Sequence, residues 1–329
     1  MSAIAATDEP ASRELVYSKT FIPELEGWRG AAIILLLLGH FGPHKLFPFG
    51  RLGVEFFFVL SGRLMAQILF VDAMPLRSFY VRRISRVFPA LWLFAATCLL
   101  TNLLLGETDV KPMDFVHAVT FTINYTHTDS SLDHIWSLCV EEHAYVLLSV
   151  VAALHRKFGF NVAAVLGLLA AACIANGAMQ TWWLGLDYSS VYWRTDTRAA
   201  SILLSAALFL HLRSSRFNGW ALVATVALGL VLNFSAYVPD PIKYSVGTLC
   251  LAVGVAGATS MPAIVGTLLT NRAITLFGLW SYSVYIWQQP FALKEPRAIS
   301  WLLAAVSLGV ISYYCFERPS RNFLNSKFS

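Results

Sequence analysis

Long apolar runs that contain almost no charged residues dominate this chain of 329 residues. A helix needs about 20 predominantly apolar residues to cross a lipid bilayer. Ten segments approach this length and predict an all-α, polytopic membrane helical bundle of about ten transmembrane helices: about 28–42, 52–71, 86–105, 135–154, 161–183, 197–212, 219–238, 244–261, 273–292 and 298–316. A briefer apolar stretch, 114–125, is predicted to form a re-entrant or interfacial helix.

The composition agrees with a membrane location. Apolar residues make up 57% of the chain and charged residues 13%, against roughly 45–50% and 25% in soluble globular proteins. This excludes disorder, a collagen-like repeat and a disulfide scaffold, and it argues against a soluble enzyme. The five cysteines lie in apolar runs without a CxxC pair, so no disulfide framework or metal site is predicted.

Lys and Arg are distributed unevenly between alternate loops. With the N-terminus inside, most of them fall on the cytoplasmic side, which predicts two cytoplasmic termini and a multi-pass protein of the cytoplasmic (inner) membrane. The net charge of +5 is assigned to this bias rather than to nucleic-acid binding. We expect cytoplasmic tails at 1–20 and 318–329 around one transmembrane domain at 21–317, without a signal peptide.

Few ionisable residues fall within the predicted spans, where each is costly and marks a candidate functional site. Arg29 and His40 are eleven residues apart in the first segment, so they share a helix face about 16 Å apart along the axis. A neutral imidazole is a usable base near pH 7. In the alternative interpretation both residues are structural: Arg29 extends its side chain toward the membrane surface at one end of the helix, and His40 caps the other end.

A second candidate lies in the segment HIWSLCVEEHAYVLL. Ser137, Glu141 and Tyr145 are spaced four apart and share a face, whereas Glu142 points about 100° away from Glu141. We expect Glu141 to face the interior at the depth of His40, where a carboxylate would orient the imidazole ring. The alternative is a carboxylate that is satisfied by a neighbouring helix.

Two further features have a structural and a functional interpretation. Glu55 precedes Arg63 by eight residues in the second segment, and it is either catalytic or half of a charge pair with Arg63. Tyr285 recurs with Tyr282 and Gln289 at helical spacing, and this stripe either lines a polar cavity or packs at the membrane interface.

Arg82, Arg83 and Arg86 form a basic cluster at the predicted cytoplasmic end of the third segment. Guanidinium groups bind phosphates through paired hydrogen bonds. The cluster therefore predicts a site for an anionic cytosolic ligand, and the alternative is ordinary positive-inside anchoring.

Taken together, these motifs resemble the acyltransferase-3 family of integral-membrane O-acyltransferases, which act mainly on carbohydrates. The resemblance spans nearly the whole chain and rests on IPELEGWRGAAIILLLLGH, GRLGVEFFFVLSGRL, FYVRRISRVFPALW, HIWSLCVEEHAYVL, YSVYIWQQP and CFERPSRNF. The sequence departs from the family pattern at Trp28, Arg63, His143-Ala144 and Gln288, the last standing where a His is often found. These departures bear on substrate choice more than on activity.

The resemblance implies an acyl-CoA co-substrate, usually acetyl-CoA, that approaches from the cytoplasm, with no bound cofactor. The acceptor would be a sugar hydroxyl of a surface polysaccharide, a lipid-linked glycan or a related molecule, and membrane lipid would be the remaining partner. In this scheme His40 is the base, Glu141 orients it, and Arg29 stabilises the oxyanion or grips the pantetheine–phosphate arm. Arg83 and Arg86, with Arg82 beside them, would hold the phosphates.

Two alternatives remain open on the sequence alone. His40 could carry the acyl group as a covalent intermediate instead of acting as a base. A transporter or flippase could use the buried charges as a relay, although such proteins often contain internal repeats and the sequence has none that we detect.

Overall fold

The computed structural model describes residues 22–42, 48–126, 128–294 and 298–328. Within these ranges the regular structure is entirely helical, as expected. In chain order the helices are α1 (Pro23–Phe41), α2 (Phe49–Ala66), α3 (Leu76–Leu105), α4 (Pro112–Val119), α5 (Trp136–Phe158), α6 (Val162–Ala178), α7 (Tyr188–Tyr192), α8 (Thr195–Leu212), α9 (Gly219–Phe234), α10 (Asp240–Ile242), α11 (Thr248–Ala256), α12 (Ala263–Leu269), α13 (Arg272–Trp287), α14 (Gln289–Ala292), α15 (Ile299–Ser312) and α16 (Arg318–Phe328).

Several helices continue through a π-helical turn, which lengthens the apolar segment. These turns follow α2, α6 and α15, and a fourth joins α10 to α11: Gln67–Val71, Met179–Trp183, Tyr313–Glu317 and Lys243–Gly247. Short 3-10 turns lie in the connections (Ile123–Tyr125, Asp133–Ile135 and Ala258–Ser260).

The chain is a multi-pass membrane protein by the length and apolarity of its helices. Five described helical segments are long and apolar enough to cross a bilayer: Phe49–Val71, Leu76–Leu105, Asp133–Phe158, Val162–Trp183 and Ile299–Phe328. If α12 and α13, which are bent by 52° relative to each other, are counted together as one span, the number of such segments rises to six. The expected number of ten is not reached by this criterion, because some of the remaining helices are short, such as α9 with 16 residues and α11 with 9.

Three expected boundaries differ from the structure. The third helix begins at Leu76 rather than at 86, so the arginine cluster lies inside the helix and Pro89 is an interior proline. The span expected at 244–261 is shorter than predicted, because α11 ends at Ala256. The stretch 114–125 overlaps the eight-residue α4, which begins two residues earlier, ends at Val119 and is too short to span a bilayer.

The two predicted tails have different outcomes. The N-terminal tail, 1–20, lies outside the described residues. The C-terminal segment is helical as α16, and Ser85 Oγ of α3 donates a hydrogen bond to Asn325 Oδ1 of α16 at 2.8 Å. This contact ties the end of the chain to the helix that carries the arginine cluster.

Helix α1 packs between α2 and α13, and α2 packs in turn against α8. The α1–α2 crossing is close at Gly39, where an added Cβ atom would lie 2.2 Å from the backbone nitrogen of Gly50. Only a residue without a side chain permits this approach. The crossing brings the end of α1, with His40, against the start of α2.

Candidate active site

One cavity lies among α1, α2, α3, α5 and α13, and it has a volume of about 100 Å³. We call it the arginine cavity because Arg29, Arg83 and Arg86 line it. Its other polar lining residues come from α2, α5 and α13: Ser61, Ser137, Glu141, Tyr145, Ser281, Tyr282 and Tyr285.

The second cavity contains His40 and has a volume of about 600 Å³. We call it the histidine cavity. Aromatic and polar side chains share its wall: Arg51, Asp129, Ser130, Asp133, His134, Trp136, Tyr192, Trp193, Tyr285 and Gln289. Val54 and Tyr285 line both cavities, so they form the partition between them.

Arg29 is fixed by contacts along and across helices. Its Nη1 lies 3.3 Å from Glu26 Oε2 on the same helix, and its Nη2 donates to Ser281 Oγ of α13 at 3.0 Å. The guanidinium group is therefore held at the wall of the arginine cavity by two helices.

Arg83 is neutralised by two carboxylates of α5. Its Nη2 lies 2.6 Å from Glu142 Oε1 and 3.4 Å from Glu141 Oε2, and its guanidinium carbon is 4.2 Å from the ring centroid of Tyr145. The expectation that only Glu141 would face the interior is wrong. The guanidinium fork accommodates both carboxylates although their positions differ by about 100° around the helix.

Arg86 differs from its neighbours in the arginine cavity. No ion pair involves it among the residues described here, whereas Arg29 and Arg83 each have a carboxylate within 4 Å. It lies close enough to Arg29 and Arg83 for electrostatic repulsion, which the carboxylate of Glu317 partly offsets. Arg86 is therefore the cation of this cavity whose charge is least compensated by the protein.

The sequence-predicted cluster of three arginines is thus divided by the structure. Arg83 and Arg86 line the arginine cavity, whereas Arg82, on the same helix, is not one of its lining residues. Because α3 begins before these residues, their side chains point in different directions around the helix instead of forming one patch at its end.

Glu141 is a hydrogen-bond acceptor within the arginine cavity. It accepts hydrogen bonds from Ser61 Oγ at 2.7 Å, Tyr145 Oη at 3.2 Å and Arg83 Nη2 at 3.4 Å. The expected contact with Tyr145 is present, but Ser137 Oγ lies 2.7 Å from Tyr285 Oη instead. The hydroxyl hydrogen of Tyr285 is donated to the carbonyl oxygen of His134.

His40 has a different partner from the one that we expected. Its Nδ1 lies 2.7 Å from Oε1 of Gln288, the residue that caps α13. The oxygens of Glu141 accept hydrogen bonds within the arginine cavity, and Gln288 occupies the position beside Nδ1 of His40 that was expected for Glu141. The helical spacing of Arg29 and His40 does place them in one helix, about 16 Å apart along its axis.

Glu55 is completely buried and belongs to a structural ion pair. Its carboxylate accepts hydrogen bonds from Arg198 of α8 and Thr248 of α11, so the alternative in which Glu55 pairs with Arg63 is not what the structure shows. Arg63 instead stacks on the ring of Phe209, with 4.7 Å between the guanidinium carbon and the ring centroid.

Arg198 was not among the sequence-predicted site residues, although it lies at the start of the expected segment 197–212. Helix α8 begins at Thr195, so Arg198 is inside the bundle and 1% exposed. A usable signal was present, since a cation in an apolar helix needs a carboxylate on a neighbouring helix. In the described ranges, no group of three or more His, Cys, Asp or Glu residues is arranged to hold a metal ion.

A family model described as an acyltransferase domain, that of the acyltransferase-3 family, matches residues 22–294. The chain belongs to the acyltransferase-3 family. The match begins at the described start of α1 and includes every residue that lines the two cavities.

This acyltransferase-3 chain is also similar to curated proteins. Peptidoglycan O-acetyltransferase OatA of Listeria monocytogenes is 25% identical over 94% of this chain and 57% of its own length. The putative peptidoglycan O-acetyltransferase YrhL of Bacillus subtilis is 28% identical over 93% of this chain and 56% of its own length. O-acetyltransferase OatA of Staphylococcus aureus is 26% identical over 84% of this chain and 51% of its own length.

The chain therefore spans about half the length of the curated relatives that it matches. No solved structure matches the chain.

Proposed function

We propose that this protein is a membrane O-acyltransferase that moves an acyl group, preferentially acetyl, from cytosolic acyl-CoA to a sugar hydroxyl of a surface polysaccharide or lipid-linked glycan. The observation that carries the proposal is the pair of adjoining cavities, one with a cation that has no ion-pair partner among the described residues and the other with a histidine. The family match and the peptidoglycan O-acetyltransferases among the relatives support the reaction and a glycan acceptor.

The arginine cavity is proposed to hold the phosphate-bearing arm of acyl-CoA. Arg86 is the principal contact, because its charge is available for an anionic oxygen. Arg29 grips the same arm, since it lies about 16 Å from His40 along the helix and so is remote from an oxyanion formed there. Arg83, Glu141 and Glu142 hold this wall together without contacting the substrate.

The histidine cavity is proposed to hold the acceptor. Trp136, Tyr192 and Trp193 offer aromatic faces, and Asp129 and Asp133 offer hydrogen-bond acceptors. This combination of flat apolar surfaces with a few polar groups suits a sugar ring.

His40 takes the proton of the acceptor hydroxyl as its oxygen attacks the thioester carbonyl carbon. The new carbon–oxygen bond forms, the carbon–sulfur bond breaks, and His40 returns the proton to the leaving CoA thiolate. For this to occur the thioester must extend past Val54 and Tyr285, the partition between the cavities. A variant in which His40 carries the acyl group uses the same geometry.

We further propose about ten membrane spans with both termini in the cytoplasm and a location in the inner membrane. The helices that are too short or too charged to qualify individually, among them α1, α8, α9 and α11, would supply the additional spans. The excess of Lys and Arg in alternate loops supports this orientation. Reporter fusions at successive loops test it, and a reporter that shows the C-terminus outside would contradict it.

The decisive experiment uses the purified protein in proteoliposomes with acetyl-CoA and measures both CoA release and acetylation of added glycan. We expect wild-type protein to release CoA, and His40→Ala to lose about 10²- to 10⁴-fold in rate while remaining folded. Wild-type-like release by His40→Ala would overturn the proposal. Movement of a ligand across the membrane without CoA release would favour a transporter.

A further inference from the structure

We propose that Gln288 is a positioning residue that fixes the tautomer of His40, so that Nδ1 carries the hydrogen and Nε2 accepts the proton of the substrate. This inference rests on the proposed function, in which His40 is the base. It assigns a role to a residue at which this sequence departs from the family pattern.

The chemistry of the contact determines which ring nitrogen is protonated. An amide oxygen has lone pairs and no hydrogen, so Oε1 of Gln288 can only accept. Because Nδ1 of His40 lies 2.7 Å from this oxygen, the ring must donate from Nδ1. In a neutral imidazole the hydrogen then sits on Nδ1 and the basic lone pair on Nε2.

The orientation of the Gln288 amide is itself set by a second contact. The Nε2 group of Gln288 donates to Oε1 of Gln289 at 3.2 Å, and Gln288 is fully buried. Rotating the amide of Gln288 by half a turn would place its Oε1 against Oε1 of Gln289, so that two acceptors would face each other. The contact with Gln289 therefore supports the orientation in which Oε1 of Gln288 faces His40.

The other side of the imidazole ring is directed at the start of α2. A Cβ atom added to Gly50 would lie 3.4 Å from Nε2 of His40, and both residues line the histidine cavity. The absence of a side chain at Gly50 keeps space for an acceptor hydroxyl beside Nε2. The nitrogen that Gln288 leaves unprotonated is thus the one that borders this space.

A neutral amide has a different effect from the carboxylate that we first expected. A carboxylate would orient the ring and also stabilise its protonated form, whereas an amide orients it without adding negative charge. Among the described residues, the charged or titratable groups that share the histidine cavity with His40 are Arg51, Asp129, Asp133, His134, Tyr192 and Tyr285.

The test compares CoA release from acetyl-CoA by wild type, Gln288→Leu and Gln288→Glu over a range of pH. We expect Gln288→Leu to lower kcat about 10-fold or more with little change in KM, because Nδ1–H loses its acceptor. Gln288→Glu should restore activity. The acid limb of its pH–rate profile should lie about one pH unit or more above that of wild type, because a carboxylate stabilises the protonated ring.

A matched control is Gln180→Leu, which changes another buried glutamine that lines neither the arginine nor the histidine cavity. It should leave kcat and the pH–rate profile unchanged. If Gln288→Leu and Gln288→Glu both behave like this control, a positioning role for Gln288 is excluded.

A second readout does not depend on activity. Nitrogen-15 spectra of protein with labelled histidines, assigned with His40→Ala, report which nitrogen of His40 carries the hydrogen. We expect protonated Nδ1 in wild type and in Gln288→Glu, and a mixture of tautomers in Gln288→Leu. A wild-type ring protonated at Nε2 would overturn the inference. Absence of CoA release by wild type, with Nδ1 protonated, would instead contradict the proposed function alone.

Discussion

The arginine cavity and the histidine cavity adjoin at Tyr285 but use charge in opposite ways. In the arginine cavity, about 100 Å³ in volume, Arg83 is bound by two carboxylates and Arg86 is left without an ion-pair partner among the described residues. In the histidine cavity, about 600 Å³, Nδ1 of His40 lies 2.7 Å from the oxygen of a neutral amide, that of Gln288. Under the proposed function, the first cavity offers a cation to an anionic ligand, and the second orients a base without placing a negative charge beside it.

The largest expected effect separates Arg83 from Arg86. Replacing Arg83 by Met leaves Glu141 and Glu142 as adjacent carboxylates in a largely buried position. Removing one partner of a buried ion pair costs about 3–5 kcal/mol in the free energy of unfolding. We therefore expect a large fall in the midpoint of heat-induced unfolding in detergent, together with loss of CoA release.

The control for this prediction removes the carboxylates as well. The triple variant Arg83→Met with Glu141→Gln and Glu142→Gln leaves no uncompensated charge, and the amide oxygen at position 141 keeps an acceptor for Ser61. It should recover most of the lost stability. If Arg83→Met alone unfolds at the wild-type temperature, Arg83 does not hold this wall together.

The second prediction concerns ligand binding rather than folding. Arg86→Met should leave the unfolding temperature near that of wild type, because no ion pair in the described structure is broken. It should raise KM for acetyl-CoA about 10- to 100-fold, since a hydrogen bond between charged groups contributes roughly 1.5–3 kcal/mol. Arg82→Met is the matched control on the same helix and should change KM little. Equal effects of the two substitutions would contradict the role given to Arg86.

Some features of the two cavities could be predicted from the sequence, and others could not. The helical character of the chain and the shared helix of Arg29 and His40 follow from local periodicity, which a single segment contains. The partners Ser281, Gln288 and Arg198 come from helices far away in the sequence, and their selection depends on which faces pack together. Periodicity around one helix could not reveal that Glu141 and Glu142 would both bind one guanidinium group on another.

A third prediction tests the partition between the cavities. Tyr285→Phe keeps the ring but removes the hydroxyl that contacts Ser137 and the carbonyl oxygen of His134. Each lost hydrogen bond contributes about 0.5–1.5 kcal/mol, so we expect up to about 10-fold slower CoA release. Tyr244→Phe, at a tyrosine that lines neither cavity, should have no such effect. The partition has no part in catalysis if the two variants are equally active.

The smallest expected effect lies at the α1–α2 crossing beside His40. A methyl group at Gly50 would meet Nε2 of His40 at 3.4 Å, an ordinary contact, so Gly50→Ala should fold normally. The methyl group occupies the space proposed for the acceptor hydroxyl, so acetyl transfer to glycan should fall a few-fold while hydrolysis of acetyl-CoA by water, a smaller acceptor, changes less. Gly39→Ala forms the contrast, because its Cβ would lie 2.2 Å from the Gly50 nitrogen and must separate the helices. Equal losses of transfer and hydrolysis in Gly50→Ala would mean that the methyl group disturbs His40 itself, and the acceptor would then approach Nε2 from another side.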